Sequence, residues 1–491
     1  MGSNIQTNFY SHLGISILYL IAGIMLIGGN IRPSLGTLYY LGILLASFLV
    51  IKGYITRAGL YSFLTPYFLM LGFGIWKYIF PHYIGILLAV LLGELFGRIS
   101  YKTLIKWEGT RYIFCVIPIF FFLFDFAFGN IPLLRNIHMI PLLSPISTHY
   151  FTIRGASLVG RHLLLAIITL ILSSLVVIIT EPKSAKIPSI VLVVCGLLIV
   201  IPNIFDLAIS KSKVHYDKTL RVAVVQGSYN LPGDNMLYED YIENKLAYYI
   251  NLASKETADI VVFPETELGI YDTSNKIDKE HRERFMDISK KLGGILVFTV
   301  TEGNSLTKEK KERFISTLLM EEGNIKGISR KRNLVPFKET KFYSRGKDYG
   351  IHETKFGRLG ISICYDINAG TIRKLKSNGA ELILAPFNDS GFGEIYHNIH
   401  RYYPIIEAVE YGVPIAVANE DGISQIIDDN GRILGELGYG HIGTLDYLIN
   451  LNTAKTLYLV IGKYVEWLIF GGLFFFVGIN LKIIRTPFLF H

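Results

Sequence analysis

The sequence predicts an α-helical membrane bundle of about eight spans joined to one layered α/β domain. Three observations carry this. The 491 residues are 51% hydrophobic and only 18% charged, with a mean hydropathy of +0.40, a balance rare among water-soluble globular proteins. The apolar residues gather into long runs at the two ends of the chain. The stretch between those ends alternates short β-branched runs with amphipathic, helix-periodic segments, the pattern of an α/β layered fold.

The apolar runs are Leu13–Gly28, Thr37–Val50, Gly59–Ile75, His82–Phe96, Tyr112–Phe128, Leu163–Ile179, Ile190–Ile209 and, near the end of the chain, Ile461–Leu481. A helix needs about 20 apolar residues to cross the hydrocarbon. Several runs are shorter or carry a polar residue, so their edges are soft. The division expected is a seven-span membrane domain over 1–213, a soluble domain over 214–455, and a closing span with a short tail over 456–491.

Lys and Arg concentrate in the cytoplasmic loops of membrane proteins. With the N-terminus inside, the inner loops carry Lys52, Arg57, Arg98, Lys102, Lys106, Arg111, Lys183, Lys186, Lys482 and Arg485. The outer loops carry Arg32, Lys77, Arg135 and Arg154, with Arg161 at a span edge. This bias places the soluble domain outside the cytoplasm and both termini inside. The first apolar run lacks a basic n-region and a small-residue cleavage site, so it reads as a retained span. The net charge of +8 follows from the loop bias and from surface lysines, and does not call for a nucleic-acid partner. Cys115 and Cys195 lie inside apolar runs and Cys364 lies in the soluble domain, which leaves no disulfide framework and no metal site. No cofactor is expected.

Within the soluble domain, strands are expected at Arg221–Gln226, Ile260–Phe263, Gly294–Val300, Leu359–Cys364, Glu381–Pro386, Val413–Ala418 and Ile423–Asp428. A hairpin is expected from Phe314–Met320 and Gly323–Ser329, turning at Glu321–Glu322. Helices are expected at Glu239–Glu256, Arg282–Leu292, Thr371–Lys376 and Tyr396–Tyr411.

Three segments carry chemistry: Phe263-Pro264-Glu265-Thr266, Lys331-Arg332-Asn333-Leu334-Val335-Pro336-Phe337-Lys338-Glu339, and Gly360-Ile361-Ser362-Ile363-Cys364-Tyr365-Asp366. Each alone is a weak signal, since a loop Glu or Lys is usually solvated and a Cys in an apolar strand is usually core. Together they place a Glu, then a Lys about 65 residues on, then a Cys about 33 residues further, each at a strand end. A thiol between a strand end and a helix start is also placed to be exposed with a lowered pKa.

In order and spacing this set resembles the carbon–nitrogen hydrolase (nitrilase) superfamily. Ala385-Pro386-Phe387-Asn388-Asp389, the series His400, Ala408, Glu410, Gly412 and Pro414, and Gly422-Ile423-Ser424 with Asp428 and Gly431 extend the likeness. The Asn333–Phe337 phrase with Glu339, and the plan of seven spans, outer domain and closing span, are similar to its membrane branch, the apolipoprotein N-acyltransferases. The resemblance implies a nitrilase-like α-β-β-α sandwich in a multi-pass protein of the bacterial inner membrane. It implies a phospholipid acyl donor and a diacylglyceryl-cysteine lipoprotein as acceptor.

On this reading Glu265 is the general base and Cys364 the nucleophile that forms a thioester. Lys331 steadies the thiolate and, with the backbone N–H of Tyr365, the oxyanion. Glu339 is the carboxylate that orients Lys331 or the substrate, and Asn388, Asp389 and Glu410 are supporting residues. Four positions depart from the branch, at Asp366, Gly391, Glu407 and Val417, and Lys338 replaces a common Gly. A membrane-anchored amidase, in which water resolves the thioester, uses the same three residues. Seven spans exceed what an anchor needs, which favours a lipid substrate.

Overall fold

A computed structural model describes residues 2–32, 35–70, 82–110, 112–131, 142–147, 149–211, 218–228, 238–253, 257–266, 270–271, 276–303, 313–336 and 338–480. Residues 71–75 of the third apolar run, Lys77, Arg111, Arg135, residues 254–256, Phe337, Leu481, Lys482 and Arg485 lie outside the described residues. The chain divides into two compact units, Met1–Ala208 with Val460–His491, and Ile209–Leu459.

The first unit is helical: α1 (Gly2–Ile31), α2 (Gly36–Ile51), α3 (Arg57–Met70), α4 (His82–Trp107), α5 (Val116–Asn130), α6 (Ala156–Thr180) and α7 (Lys186–Lys211), with Lys463–Asn480 as its last helix. Helix thus occurs on all eight apolar runs, because long apolar stretches satisfy their backbone polar groups most simply within one helix. Among the described residues five segments are both long and apolar enough to cross a membrane: Ser11–Gly29, Ile113–Asn130, Ala156–Thr180, Lys186–Ile204 and Tyr458–Ile479. The other three fall short for separate reasons. Helix α2 has 16 residues, a rise of about 24 Å against a hydrocarbon core of about 30 Å. Helix α3 is described over 14 residues, and α4 carries Glu94, Arg98, Lys102 and Lys106. Glu94 is not left bare, since Arg57 and Arg98 both pair with it. The Asp125 carboxylate on α5 is buried against His162 on α6, at 2.6 Å.

The second unit is built on two sheets. Its strands are β1 (Thr219–Gln226), β2 (Ile260–Val262), β3 (Ile270–Tyr271), β4 (Ile295–Glu302), β5 (Phe314–Glu321), β6 (Asn324–Arg330), β7 (Gly350–Thr354), β8 (Gly357–Ile361), β9 (Leu382–Asn388), β10 (Ile415–Glu420), β11 (Ser424–Ile427), β12 (Ile433–Leu437) and β13 (Gly443–Asn450). One sheet runs β13-β1-β2-β4-β5-β6 with β3 beside β4, and the other runs β12-β11-β10-β9-β8-β7. In chain order the helices are α8 (Tyr238–Ala253), α9 (Lys276–Leu292), α10 (Thr371–Ser377), α11 (Glu394–His400) and α12 (Tyr402–Tyr411).

Helices α8 and α9 cover the outer face of the first sheet, packing Leu246, Tyr249 and Phe285 on Ala223, Val225, Val261 and Leu296. Helices α10 and α12 cover the second sheet, and strands β1 and β2 pack on β9, β10 and β11. The layers are therefore helix, sheet, sheet, helix. The central strands are buried on both faces and so read as continuous apolar runs.

Four local expectations are corrected. The strand expected at Leu359–Cys364 ends at Ile361, and Cys364 opens a 3-10 turn over Cys364–Ala369. The β5–β6 hairpin turns at Glu322–Gly323, one residue later than expected, because that pair takes φ of 49° and 80° and closes a two-residue turn. The helix expected at Tyr396–Tyr411 breaks at Arg401 into α11 and α12. Strands β7, β12 and β13 were not anticipated, since they are short or half-exposed and lack a continuous apolar face.

Candidate active site

The three chemistry-bearing segments leave three different strands and meet. Glu265 follows β2, where its N–H donates to Phe387 O on β9 at 3.0 Å, which pins the end of one sheet to the other. Lys331 follows β6. Its N–H donates to Ile315 O and its carbonyl accepts from Gly346 N–H, both at 2.8 Å. Ser362 N–H donates to Leu384 O at 3.1 Å, just before the chain leaves β8 at Cys364. Cys364 has a φ of +44°, a left-handed conformation that costs a non-glycine residue about 1–3 kcal/mol. Such strain persists where neighbours over-determine it, and it turns the thiol away from the strand direction.

Lys331 is fully buried. Its Nζ donates to Glu265 Oε1 at 2.8 Å and to Glu339 Oε1 at 2.7 Å. Glu339 Oε2 in turn accepts from Val335 N–H at 2.8 Å, which fixes the carboxylate on its own loop. Burial pushes the Glu265 carboxyl up, Lys331 pulls it down and Glu339 pushes it up again, leaving it at about 7. Burial works against the Lys331 ammonium, yet Cys364, Glu265 and Glu339 outweigh it and hold the lysine charged. The Cys364 thiol is pushed well above its ordinary value. Burial is the main cause, Lys331 offsets part of it, and Glu265, Asp389 and Glu339 add to it. The expected exposed thiol with a lowered pKa is therefore corrected: Cys364 is buried and protonated at rest, because burial disfavours its thiolate and the nearby carboxylates add to that, with Lys331 offsetting only part. A thiol in that state needs a base to become a nucleophile, and a carboxyl near 7 beside it is matched to that task.

Tyr365 is buried in the turn directly after Cys364. Asn388 ends β9, and its Oδ1 accepts from Ser390 N–H at 3.0 Å and Ser390 Oγ at 2.5 Å, so it shapes the following loop. Asp389 is buried and acts on Cys364 at longer range. Glu410 is buried in α12, where its carbonyl accepts from Thr456 Oγ1 at 2.5 Å. Its charge is not among those that act most on Glu265, Lys331 or Cys364. Glu407 and Val417 are buried in α12 and β10, and Gly391 takes a φ of +80° in the loop after β9.

Asp366 has a larger part than its sequence position indicated. Its buried carboxylate accepts from Arg332 N–H at 3.1 Å, Asn333 N–H at 2.7 Å and Asn333 Nδ2 at 2.9 Å. It thereby ties the Lys331 loop to the Cys364 turn. The only signal in the sequence was an acid two residues after the cysteine. Among the described residues no group of three His, Cys, Asp or Glu side chains is placed to hold a metal ion.

A buried lysine between two carboxylates thus lies beside a cysteine on a strained turn. The family match gives the class of enzyme. Residues 221–458 match the carbon-nitrogen hydrolase family, so the second unit is a carbon-nitrogen hydrolase domain. A probable nitrilase of Schizosaccharomyces pombe is 25% identical over 234 residues, 43% of this chain and 84% of that protein. The apolipoprotein N-acyltransferase of Geobacter metallireducens is 26% identical over 325 residues, 60% of this chain and 59% of that enzyme. An amidase of the nitrilase superfamily from Nesterenkonia has a similar structure, with a TM-score of 0.41 and 22% identity, over 50% of this chain and 97% of that one. The chain thus resembles the apolipoprotein N-acyltransferases, and the matched stretch spans little more than half of that relative.

Proposed function

We propose that this chain N-acylates lipoproteins: it moves an acyl chain from a membrane phospholipid, through a Cys364 thioester, to the α-amine of a diacylglyceryl-cysteine. The observation that carries the reading is Lys331 Nζ held at 2.8 Å from Glu265 and 2.7 Å from Glu339 beside Cys364, in a chain whose described residues include five helices long and apolar enough to cross a membrane. The match to the Geobacter metallireducens enzyme supports it further, because its 325 residues exceed the length of the hydrolase domain.

In the first half-reaction Glu265 takes the thiol proton and Cys364 Sγ attacks the ester carbonyl. Lys331 and the Tyr365 backbone N–H stabilise the oxyanion. The C–O bond breaks, the lysophospholipid alcohol leaves with the proton from Glu265, and the thioester remains. In the second half-reaction the amine nitrogen attacks the thioester carbonyl while Glu265 takes its proton. The C–S bond breaks, an amide forms, and the proton returns to sulfur. Glu339 holds Lys331 in line throughout. Asn388, Asp389 and Glu410 are the supporting residues of this reading. In this reading the protein is a multi-pass protein of the bacterial inner membrane with about eight spans, its domain on the extracytoplasmic face and both termini in the cytoplasm.

A second reading is a membrane-anchored amidase that hydrolyses a C–N bond, favoured by the likeness to a nitrilase over 84% of that relative's length. Product analysis separates the two. Purified protein is given a tagged phospholipid and a diacylglyceryl-cysteine peptide. Tagged N-acyl peptide is the expected product. Release of free tagged fatty acid with no acyl peptide, alongside turnover of small amides, would replace the transferase by the hydrolase.

A further inference from the structure

We propose that the helical unit binds a glycerophospholipid at a site of its own, with one acyl chain in an apolar slot between helices α1 to α5 and an ester oxygen at the Tyr19 hydroxyl. The residues that line the slot all lie in the helical unit, so the site is independent of the chemistry at Cys364.

The slot holds about 100 Å³ and its walls are almost wholly apolar. Helix periodicity builds it. Helix α4 contributes Phe96, Ser100 and Leu104, at i, i+4 and i+8, which lie above one another on one face. Helices α3 and α5 each contribute positions i, i+3, i+4 and i+7, counted from Leu60 and Ile117. The slot therefore runs along the helix axes for about two turns, or about 11 Å. In a membrane that is the direction in which acyl chains lie. An apolar cavity of this order does not hold water: one of roughly 150 Å³ stays dry and takes up apolar molecules instead. For a bundle whose described helices include five long and apolar enough to cross a membrane, the apolar molecule at hand is a lipid acyl chain.

One end of the slot is polar. Tyr19 is wholly buried against Leu49, Val50, Ile55 and Leu60, where α2 turns into α3, and its hydroxyl meets no hydrogen-bond partner among the described residues. Gly59 makes room for the ring, since an added Cβ would fall 2.4 Å from Tyr19 Cδ2. A buried donor without an acceptor is costly, and an acyl ester oxygen supplies one. Leu104 belongs to the same cluster, and Lys102 and Lys106 stand exposed two residues to either side of it. These ammonium groups mark the end at which a phosphate would lie. Apolar slot, hydroxyl donor and cations thus follow one another in the order in which a glycerophospholipid carries its chain, ester and phosphate.

The test uses the full-length protein in detergent with a phosphatidylethanolamine that carries a diazirine midway along one acyl chain. After irradiation the label is mapped by peptide mass. It is expected on residues 96–104 and 117–124, and to persist in Cys364→Ala. Ala46 is buried in the slot wall, so Ala46→Phe fills the space and is expected to remove most of that label. Ser100→Leu fills it from α4 and serves where Ala46→Phe does not fold. Tyr19→Phe keeps the ring and removes the hydroxyl, and is expected to lower the label about threefold at the same positions, the loss of one hydrogen bond. Label spread over the exposed face of α4, at Leu87, Leu91 and Leu95, and unchanged by both filling variants would overturn the site. Label confined to the hydrolase domain would overturn it equally, leaving the acyl-donor site alone. A Tyr19→Phe label equal to that of wild type would overturn the ester contact.

Discussion

Glu339→Gln reads the electrostatics of the site most directly. Lys331 Nζ touches an oxygen of each carboxylate, at 2.8 Å for Glu265 and 2.7 Å for Glu339, so those oxygens are at most about 5.5 Å apart. At an effective dielectric constant of about 20, two unit charges at that distance repel by about 3 kcal/mol, or about two pKa units. The Glu339 side chain is 20% exposed, and solvent screening reduces the effect to about one unit. The sign is fixed by the role of Glu265, which acts as a base only when ionised. Acylation therefore rises as pH climbs through about 7 in the wild type. Removing the neighbouring negative charge lowers the Glu265 pKa, so the variant reaches its plateau about one pH unit lower. The substitution has a cost, because the carboxylate serves Lys331 with one oxygen and Val335 N–H with the other, and Gln has a single oxygen. One lost bond costs about 1–2 kcal/mol of stability. The assay is single-turnover formation of the Cys364 adduct by intact mass across neutrality. An acid limb that stays in place, or moves up, while adduct still forms would refute the reasoning.

Other substitutions test the remaining parts. Lys331→Met removes the cation between the two carboxylates and an oxyanion donor, and is expected to cut the rate of adduct formation by about a hundred- to a thousandfold; adduct formation followed by mass checks it. Asp366→Ala removes the acceptor of three short bonds that join the Lys331 loop to the Cys364 turn, and is expected to cost about 2–4 kcal/mol, seen as a lower thermal midpoint together with slower Cys364 labelling. Gly346→Ala would set a Cβ 2.3 Å from Arg330 O, a backbone atom that cannot give way without moving Lys331, so adduct formation is expected to fall by about tenfold or more. Glu265→Gln should abolish acylation, because the amide cannot take the thiol proton, with adduct formation by intact mass as the check. The fold raises this acid from 4.5 to about 7, so its contribution to stability is present below the unfolded pKa and lost as pH rises to about 7, seen in the wild type as a falling thermal midpoint.

The parts of the fold legible in the sequence are those written in continuous apolar runs. Strands β1, β2, β4, β9 and β10 are buried on both faces, and their Val, Ile and Leu runs announce them. Strand β13 is different. It pairs with β1 along its full eight residues and closes the first sheet, yet Gly443–Asn450 is mostly half-exposed and carries Asp446, which pairs with Arg221 across the strands. Its place is set by a partner more than 200 residues away, which no local pattern reports. The meeting of Glu265, Lys331 and Cys364 was legible through the resemblance to the carbon–nitrogen hydrolases that their order and spacing carry. The charge state of Cys364 was not, because it depends first on how deeply the fold buries the thiol and then on which charges it turns towards it. Asp366 was hidden because it acts through backbone N–H groups of another loop. Span counting reached its limit at α2 and α4, where length and charge, rather than apolarity alone, decide whether a helix can cross a bilayer.

The most direct test of the central claim is an intact-mass measurement on purified protein incubated with a phospholipid bearing a tagged acyl chain and no acceptor. The account expects a single adduct of the acyl mass, localised to Cys364, absent from Cys364→Ala and released by hydroxylamine. No adduct with any phospholipid, or one that persists in Cys364→Ala, would contradict it.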